Sequence, residues 1–301
     1  MVLTVALLLC VAQATATPCT TDAECSGDTW RCCGASEHAE NCPLPDNSKT
    51  GLGACVLPGT TGKTQCQCVA GKCGTSKYYQ EKKVGQKQWL MIGDSITGGC
   101  MSHGMANISA SHNIQVIHSP GNAANVWWGA HCLDGWIGDA SRWDVITFQF
   151  GLHDLALDNE RIEPALYQTE FANISQRIAT MAPKAKLIWV TTTPVPKGID
   201  GYCNRTNGQG GCPPRSNLDP PIYNAAAERA VASIPGAGRI SKLDLYSVVT
   251  KRCGTSYSLC PEGCTLLEGN CYQIPHNVHY EAKGWADLSA AYMAAVRKVL
   301  G

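Results

Sequence analysis

Short apolar runs alternate with longer amphipathic segments in the chain after residue 87. The apolar runs span Trp89–Asp94, Ile114–Ile117, Trp143–Gly151, Lys186–Pro194 and Arg239–Tyr246, and helical patterns span approximately Glu163–Met181, Pro221–Ala232 and Glu281–Leu300. Strands of a parallel sheet read as continuous apolar runs, because helices cover both faces of such a sheet. The alternation therefore predicts an α/β domain over residues 87–301, with a mainly parallel sheet sandwiched between helices. Functional sites of such sheets form at the carboxyl ends of the strands.

The region before this domain carries cysteines in place of apolar periodicity. Nine cysteines lie between Cys19 and Cys73, separated mainly by Gly, Pro, Thr, Asp and Ser. Such a stretch cannot bury enough apolar surface to fold alone, so we predict a disulfide-rich module with its linker over residues 17–86. A zinc site is the competing interpretation of closely spaced cysteines, and we predict no metal. Glycan binding, protein docking and bracing are all compatible with this module.

The first residues have the character of an export signal. Residues 1–16 are apolar and uncharged and end in Ala14-Thr15-Ala16, which suits cleavage after Ala16. The chain has 18 cysteines and carries glycosylation sequons at Asn107, Asn173 and Asn204. We therefore predict a secreted, disulfide-bonded glycoprotein without a membrane span. Because Cys10 leaves with the signal, an odd number of cysteines remains, and one thiol is free or pairs between chains.

Charge narrows the classes of partner. Lys+Arg and Asp+Glu both number 24, so the formal net charge is zero. This balance removes the usual electrostatic case for a nucleic-acid-binding protein or a polybasic membrane anchor.

Two segments carry candidate catalytic chemistry. Ser95 lies in Gly-Asp-Ser-Ile directly after a predicted strand, where a turn into a helix exposes its hydroxyl near backbone N–H groups. Taken alone, an ordinary Ser cap of a helix also explains this motif. His279 precedes the last predicted helix, and imidazole is the side chain that most readily removes a serine proton near neutral pH.

Four segments, in order, resemble the sequence blocks of the SGNH/GDSL hydrolases. They are IGDSITGG, HSPGNAAN, FGLHDL and NVHYEAKGW, and the resemblance covers residues from about 88 to 300. It implies a three-layer α/β/α sandwich with a flavodoxin-like sheet, and cleavage of esters of lipids, sugars or small alcohols without a cofactor. It also implies that Ser95 is the nucleophile and His279 its general base.

The resemblance implies an oxyanion hole as well. One donor is the backbone N–H of Ser95, and a second lies in residues 121–124, where Ala124 occupies the position of a glycine. His153 replaces the asparagine donor of the third block, and a neutral imidazole still donates one N–H.

The acid of the last block is the clearest departure from the pattern. His276 stands three residues before the base, where the family has aspartate, and Asn277 is the nearest polar neighbour. Either a backbone carbonyl orients His279, giving a dyad, or an acid elsewhere does. His276 and Asp154 are the candidates for this orienting role. The alternative function is that of a catalytically decayed hydrolase that binds glycans or proteins.

Two adjacent tryptophans, Trp127 and Trp128, follow the second block. They are compatible with core packing or with a platform on which a sugar ring stacks.

Overall fold

The computed structural model describes residues 66–69, 72–75, 84–119, 122–137, 140–157, 161–196, 215–253, 272–274 and 277–301. The predicted signal peptide and nearly all of the predicted disulfide module lie outside these residues, as do His276 and Asn204. Of the module, the structure describes an antiparallel hairpin of β1 (Cys66–Val69) and β2 (Lys72–Thr75), in which Cys68 is opposite Cys73.

Five parallel strands form the central sheet. They are β3 (Lys87–Ile92), β4 (Ile114–His118), β5 (Val145–Gln149), β6 (Lys186–Val190) and β7 (Ile240–Leu243). The spatial order is β4-β3-β5-β6-β7, with every neighbouring pair parallel. Counted from the first strand of the sheet this is 2-1-3-4-5, the flavodoxin order, whose switch point lies between β3 and β5.

Seven α-helices connect and flank these strands in the described residues. They are α1 (Ser95–Cys100), α2 (Ala106–Ser111), α3 (Val126–Ile137), α4 (Pro164–Met181), α5 (Asp219–Ser233), α6 (Leu245–Cys253) and α7 (Ala282–Leu300). A kink separates α1 from α2, where His103 leaves helical geometry and Gly104 has a φ of 101°. No helix of the described residues is long and apolar enough to cross a bilayer.

Helices cover both faces of the sheet. Every residue of β5 is buried, although successive side chains of a strand point to opposite faces. Trp89 pairs in register with Val145, three residues before Phe148, so Trp89 and Phe148 face opposite sides. The Trp89 ring lies 6.1 Å from Tyr292 of α7, and the Phe148 ring lies 5.8 Å from Phe171 of α4. The fold is therefore a sheet with α4 on one face and α7 on the other.

The predicted elements agree with this fold except at a few places. Each of the five apolar runs overlaps one strand, although β3 begins two residues before its run and β4 ends one residue after its run. Helices α4, α5 and α7 begin within two residues of their predicted starts. The last run was expected to extend to Tyr246, but β7 ends at Leu243 and α6 begins at Leu245. The cause is Asp244, whose carboxylate accepts hydrogen bonds from the backbone N–H and the hydroxyl of Ser247 at 2.9 and 2.7 Å, and so starts the helix.

Candidate active site

Ser95 is the first residue of α1 and follows the end of β3. Asp94 caps this helix, because its Oδ1 accepts the Ile96 N–H at 2.9 Å. A Cβ on Gly93 would lie 2.5 Å from the Thr97 side chain, so only glycine fits the close turn before the cap. This turn places the half-buried Ser95 at the carboxyl edge of the sheet.

His279 lies against Ser95. Its Nε2 is 2.7 Å from the Ser95 Oγ, although the two residues are 184 positions apart in sequence. Its Nδ1 is 2.7 Å from the Oδ1 of Asn277. The chain Asn277–His279–Ser95 is the arrangement of an orienting group, a base and a nucleophile.

Asn277 determines which nitrogen of His279 carries the proton. The backbone N–H of His279 donates to the Asn277 Oδ1 at 3.1 Å, and this fixes the amide oxygen toward the ring. An oxygen without a proton can only accept, so the ring holds its hydrogen on Nδ1 and a lone pair on Nε2. That tautomer accepts the Ser95 proton, as a general base must.

The surroundings of His279 keep the ring neutral and in place. Burial and the positive charge of Arg215 lower the pKa of His279 below its ordinary value. Trp285 supports the ring, with centroids 6.4 Å apart. A Cβ on Gly99 would lie 2.1 Å from the Trp285 ring, so glycine at this position of α1 lets Trp285 pack closely.

Asp154 does not touch His279, in contrast to its expected orienting role. Its Oδ1 accepts the Val126 N–H at 2.9 Å, and its Oδ2 is buried without a partner in the described residues. Burial raises the pKa of Asp154 to about 8, so this carboxyl group is largely protonated at neutral pH. It anchors the start of α3 instead. The other candidate, His276, lies outside the described residues.

The second block forms the opposite side of the site. Ala124 has a φ of 51°, the left-handed region that favours glycine, as expected for a residue in the glycine position. Its N–H, however, donates to the Oδ1 of Asn122 at 2.8 Å. The N–H of Ala123 donates to Gly93 O at 3.0 Å and ties this loop to the turn before Ser95. The expected backbone donor at Ala124 is thus already engaged.

His153 is also arranged differently from the expected donor. The Asn122 Nδ2 lies 3.1 Å from the His153 Nε2, and an amide NH₂ can only donate. His153 therefore accepts through Nε2 in this structure. Burial, with a smaller effect of Arg215, lowers the pKa of His153 to about 3, so the ring stays neutral at any physiological pH.

Arg215 is a buried cation beside these groups. Only 5% of its surface is exposed, and its Nε donates to Leu152 O at 2.6 Å. Its positive charge lowers the pKa of both His279 and His153.

Within the described part of the chain, no three His, Cys, Asp or Glu side chains form a group that could hold a metal ion.

Three solved bacterial structures align with this chain and share its architecture. A protein assigned as an acylhydrolase from Bacteroides fragilis aligns with a TM-score of 0.54 at 14% identity, over 74% of this chain and 92% of its own. A GDSL-like lipase from Bacteroides thetaiotaomicron aligns with 0.51 at 12% identity, over 73% and 92%. A protein assigned as a platelet activating factor from Streptococcus pneumonia aligns with 0.52 at 15% identity, over 71% and 85%.

The chain has the SGNH/GDSL hydrolase fold. At these identities the likeness establishes the fold alone. No protein-family model and no curated protein matches the sequence.

Within this SGNH/GDSL fold, three polar residues of the site were not assigned a role from sequence. Asn122 and Asn277 lie inside the second and last blocks, so block position was a signal for them. Arg215 carries no such signal, because its burial beside the site follows from long-range packing.

Proposed function

We propose that the protein is a secreted serine hydrolase that cleaves carboxylic esters. The observation that carries this proposal is the chain of two 2.7 Å contacts from Asn277 through His279 to Ser95. These contacts orient one imidazole lone pair onto a serine hydroxyl at a strand-to-helix turn, which is the requirement for an activated nucleophile.

Acylation uses this chain directly. The Ser95 Oγ forms a bond to the ester carbonyl carbon while its proton moves to the Nε2 of His279, and the carbonyl electron pair becomes an oxyanion. When the tetrahedral intermediate collapses, the bond to the alcohol oxygen breaks and His279 returns the proton to that oxygen. The alcohol leaves, and the acyl group stays on Ser95.

Deacylation repeats the steps with water. His279 takes a proton from water, whose oxygen bonds to the acyl carbon. Collapse then breaks the bond to Ser95 Oγ, which regains its proton from His279. The products are a carboxylic acid and the unchanged enzyme. No oxidation or reduction occurs.

Acyl or acetyl esters of carbohydrates or lipids are the proposed substrate class. Trp127, 40% exposed, lies beside Val126, whose N–H is bound by Asp154 next to His153. An exposed indole in the first turn of α3, the helix that Asp154 anchors, is a suitable stacking surface for a sugar ring. This observation favours a carbohydrate ester over a long acyl chain.

Export is part of the proposal on the evidence of the sequence. The apolar leader and the cysteine density support it. Asn107 and Asn173 are exposed on α2 and α4, as attachment of a glycan requires. Cys100 is a free, buried thiol, which fits the odd number of cysteines expected after cleavage.

The decisive experiment is labelling of the protein, expressed by a secretory route, with a fluorophosphonate probe, followed by peptide mapping. We expect the label on Ser95, and we expect Ser95→Ala to lose both labelling and hydrolysis of p-nitrophenyl acetate. Ser102→Ala is the matched control, since Ser102 is an exposed serine shortly after α1. A folded Ser95→Ala protein with wild-type hydrolysis would refute the proposal and favour a binding protein on a hydrolase fold.

A further inference from the structure

Two of the three oxyanion donors implied by the family resemblance are already engaged in hydrogen bonds with another residue. The Ala124 N–H is bound by Asn122 Oδ1 at 2.8 Å, and the His153 Nε2 accepts from the Asn122 Nδ2 at 3.1 Å. One side chain, Asn122, makes both contacts. The residue is half-buried and lies on the loop between β4 and α3.

The two contacts determine the orientation of the Asn122 amide. The Ala124 N–H can only donate, so the amide oxygen faces it and the amide nitrogen faces His153. The nitrogen carries two hydrogens, and one of them is bound by His153. Among the described residues, the second hydrogen has no partner.

Two neighbours of Asn122 connect its loop to the edge of the sheet that carries the reacting groups. Its neighbour Ala123 is bonded to Gly93, two residues before the nucleophile. Its partner His153 is close enough to His279 for the two rings to interact electrostatically. The Asn122 amide thus belongs to the same edge of the sheet as Ser95 and His279.

We propose that the Asn122 amide supplies the side-chain N–H of the oxyanion hole, and that His153 is a positioning residue that holds this amide through its Nε2 lone pair. The inference rests on the proposed ester hydrolysis. The amide nitrogen donates its second hydrogen to the oxyanion, while Ala124 and His153 hold the group in place before the reaction. A donor that needs no reorganisation is the effective kind.

The chemistry of His153 suits a positioning role. A lone pair holds an amide only while the ring is neutral, and burial keeps this ring neutral at physiological pH. The family asparagine is therefore replaced by two residues, one from the second block that donates and one from the third that orients it.

Two substitutions of Asn122 test the proposal. Asn122→Asp keeps the shape and the acceptor for Ala124, and Asn122→Ala adds no charge; both remove the amide hydrogens. We expect each to lower kcat for p-nitrophenyl acetate by about 100-fold or more, with KM changed only a few-fold. Ser95 should still react with the fluorophosphonate, more slowly, and the Tm of Asn122→Asp should stay near the wild-type value.

Substitutions of His153 separate the donor from the residue that orients it. We expect His153→Ala to cost about 10-fold or less, because Ala124 still holds the Asn122 oxygen. His153→Asn added to Asn122→Ala should recover activity, since it restores an amide at the family position. Equal or larger losses in His153→Ala than in Asn122→Ala would overturn the proposal and make His153 the donor.

A measurement on the wild-type protein covers the case in which the variants fail to fold. In the phosphonylated protein the phosphonyl oxygen occupies the place of the oxyanion, so one Asn122 side-chain amide proton should shift downfield by NMR. An unchanged resonance in a fully labelled protein would overturn the role of Asn122. A wild-type protein that neither labels nor hydrolyses esters would overturn the proposed function itself, whereas active Asn122 variants overturn only this inference.

Discussion

The two halves of the site use the same pair of side chains in opposite ways. In the nucleophile half, Asn277 presents its oxygen to His279; in the oxyanion half, Asn122 presents its nitrogen to His153. In both halves a backbone N–H two residues later binds the amide oxygen, at 3.1 Å in Asn277 and 2.8 Å in Asn122. The backbone thus decides the orientation of each amide.

The difference lies in which amide atom the ring meets. The His279 ring shares the oxygen with the backbone N–H, so it holds a proton on Nδ1 and directs the lone pair of Nε2 at the Ser95 hydroxyl. The His153 ring meets the nitrogen and becomes an acceptor. The pairs Asn277–His279 and Asn122–His153 consist of the same residue types. They differ because the amide oxygen faces the ring in the first pair and the amide nitrogen faces it in the second.

Among the substitutions that test this comparison, removal of the Asn277 side chain should have the largest effect on kcat. Asn277→Ala leaves nothing to select the tautomer, and we expect kcat to fall by roughly 10²–10⁴-fold, the upper bound being the loss seen when a base adopts the wrong tautomer. Asn277→Asp should keep activity, and its charge should raise the pKa of His279 and move the acid limb of the kcat/KM profile to higher pH. A pH–rate series measures both. Full activity in a folded Asn277→Ala protein would show that the oxygen does not select the tautomer.

The packing behind His279 gives a stability test of the nucleophile half. Gly99→Ala places a methyl group in the Trp285 ring, and we expect a loss of about 1–3 kcal/mol in the free energy of unfolding. Gly98→Ala is the matched control, because a Cβ at Gly98 meets no atom within 4 Å. Thermal denaturation compares the two, and equal Tm values would show that Trp285 yields without cost.

The buried carboxyl group of Asp154, which binds the first residue of α3, provides a test of how stability depends on pH. Burial raises its pKa in the folded protein to about 8, whereas an unfolded aspartate titrates near about 3.9. The folded protein retains a proton that the unfolded chain releases, so this group makes stability fall as pH rises from about 4 to about 8.

Asp154→Asn should remove this dependence, because its amide keeps an acceptor for the Val126 N–H and cannot ionise. We expect a Tm near the wild-type value at pH 4 and a higher one at pH 8, by about 2–4 °C for each kcal/mol recovered. Hydrolysis should stay within a few-fold of wild type. A drop of about 10⁴-fold in the folded variant would instead make Asp154 the orienting acid.

Substitution of Arg215 should have the smallest effect on activity. Its effect on the pH–rate profile distinguishes His279 from His153. Arg215→Met removes a charge that lowers the pKa of His279, so the acid limb of the pH–rate profile should move to higher pH, toward the ordinary value of about 6.5. Arg215→Lys keeps the charge and should leave the limb in place. Because the pKa of His153 is about 3, the working range should contain a single acid limb. A shift in both variants would assign the effect to packing.

The sequence alone was sufficient for the architecture of the α/β domain, and it predicted two residues that meet in the candidate site. Apolar runs and amphipathic segments marked every strand of the central sheet and three of its helices, because burial on both faces of a sheet leaves a direct trace in composition. Ser95 and His279 were predicted from block position, and the structure places His279 Nε2 2.7 Å from Ser95 Oγ, while their catalytic roles stay predictions. Helix α3 was missed, because its three tryptophans and two glycines within Val126–Ile137 gave no clear amphipathic stripe.

Only the tertiary structure decided how the polar side chains share their hydrogen bonds. His153, Asp154 and Ala124 were expected from the blocks as donors or as an orienting acid, yet their bonds go to Asn122 and Val126. Such roles depend on which amide atom faces which ring nitrogen. The order of residues along a chain determines burial and periodicity, but the direction of a hydrogen bond is set by the atoms that folding brings together.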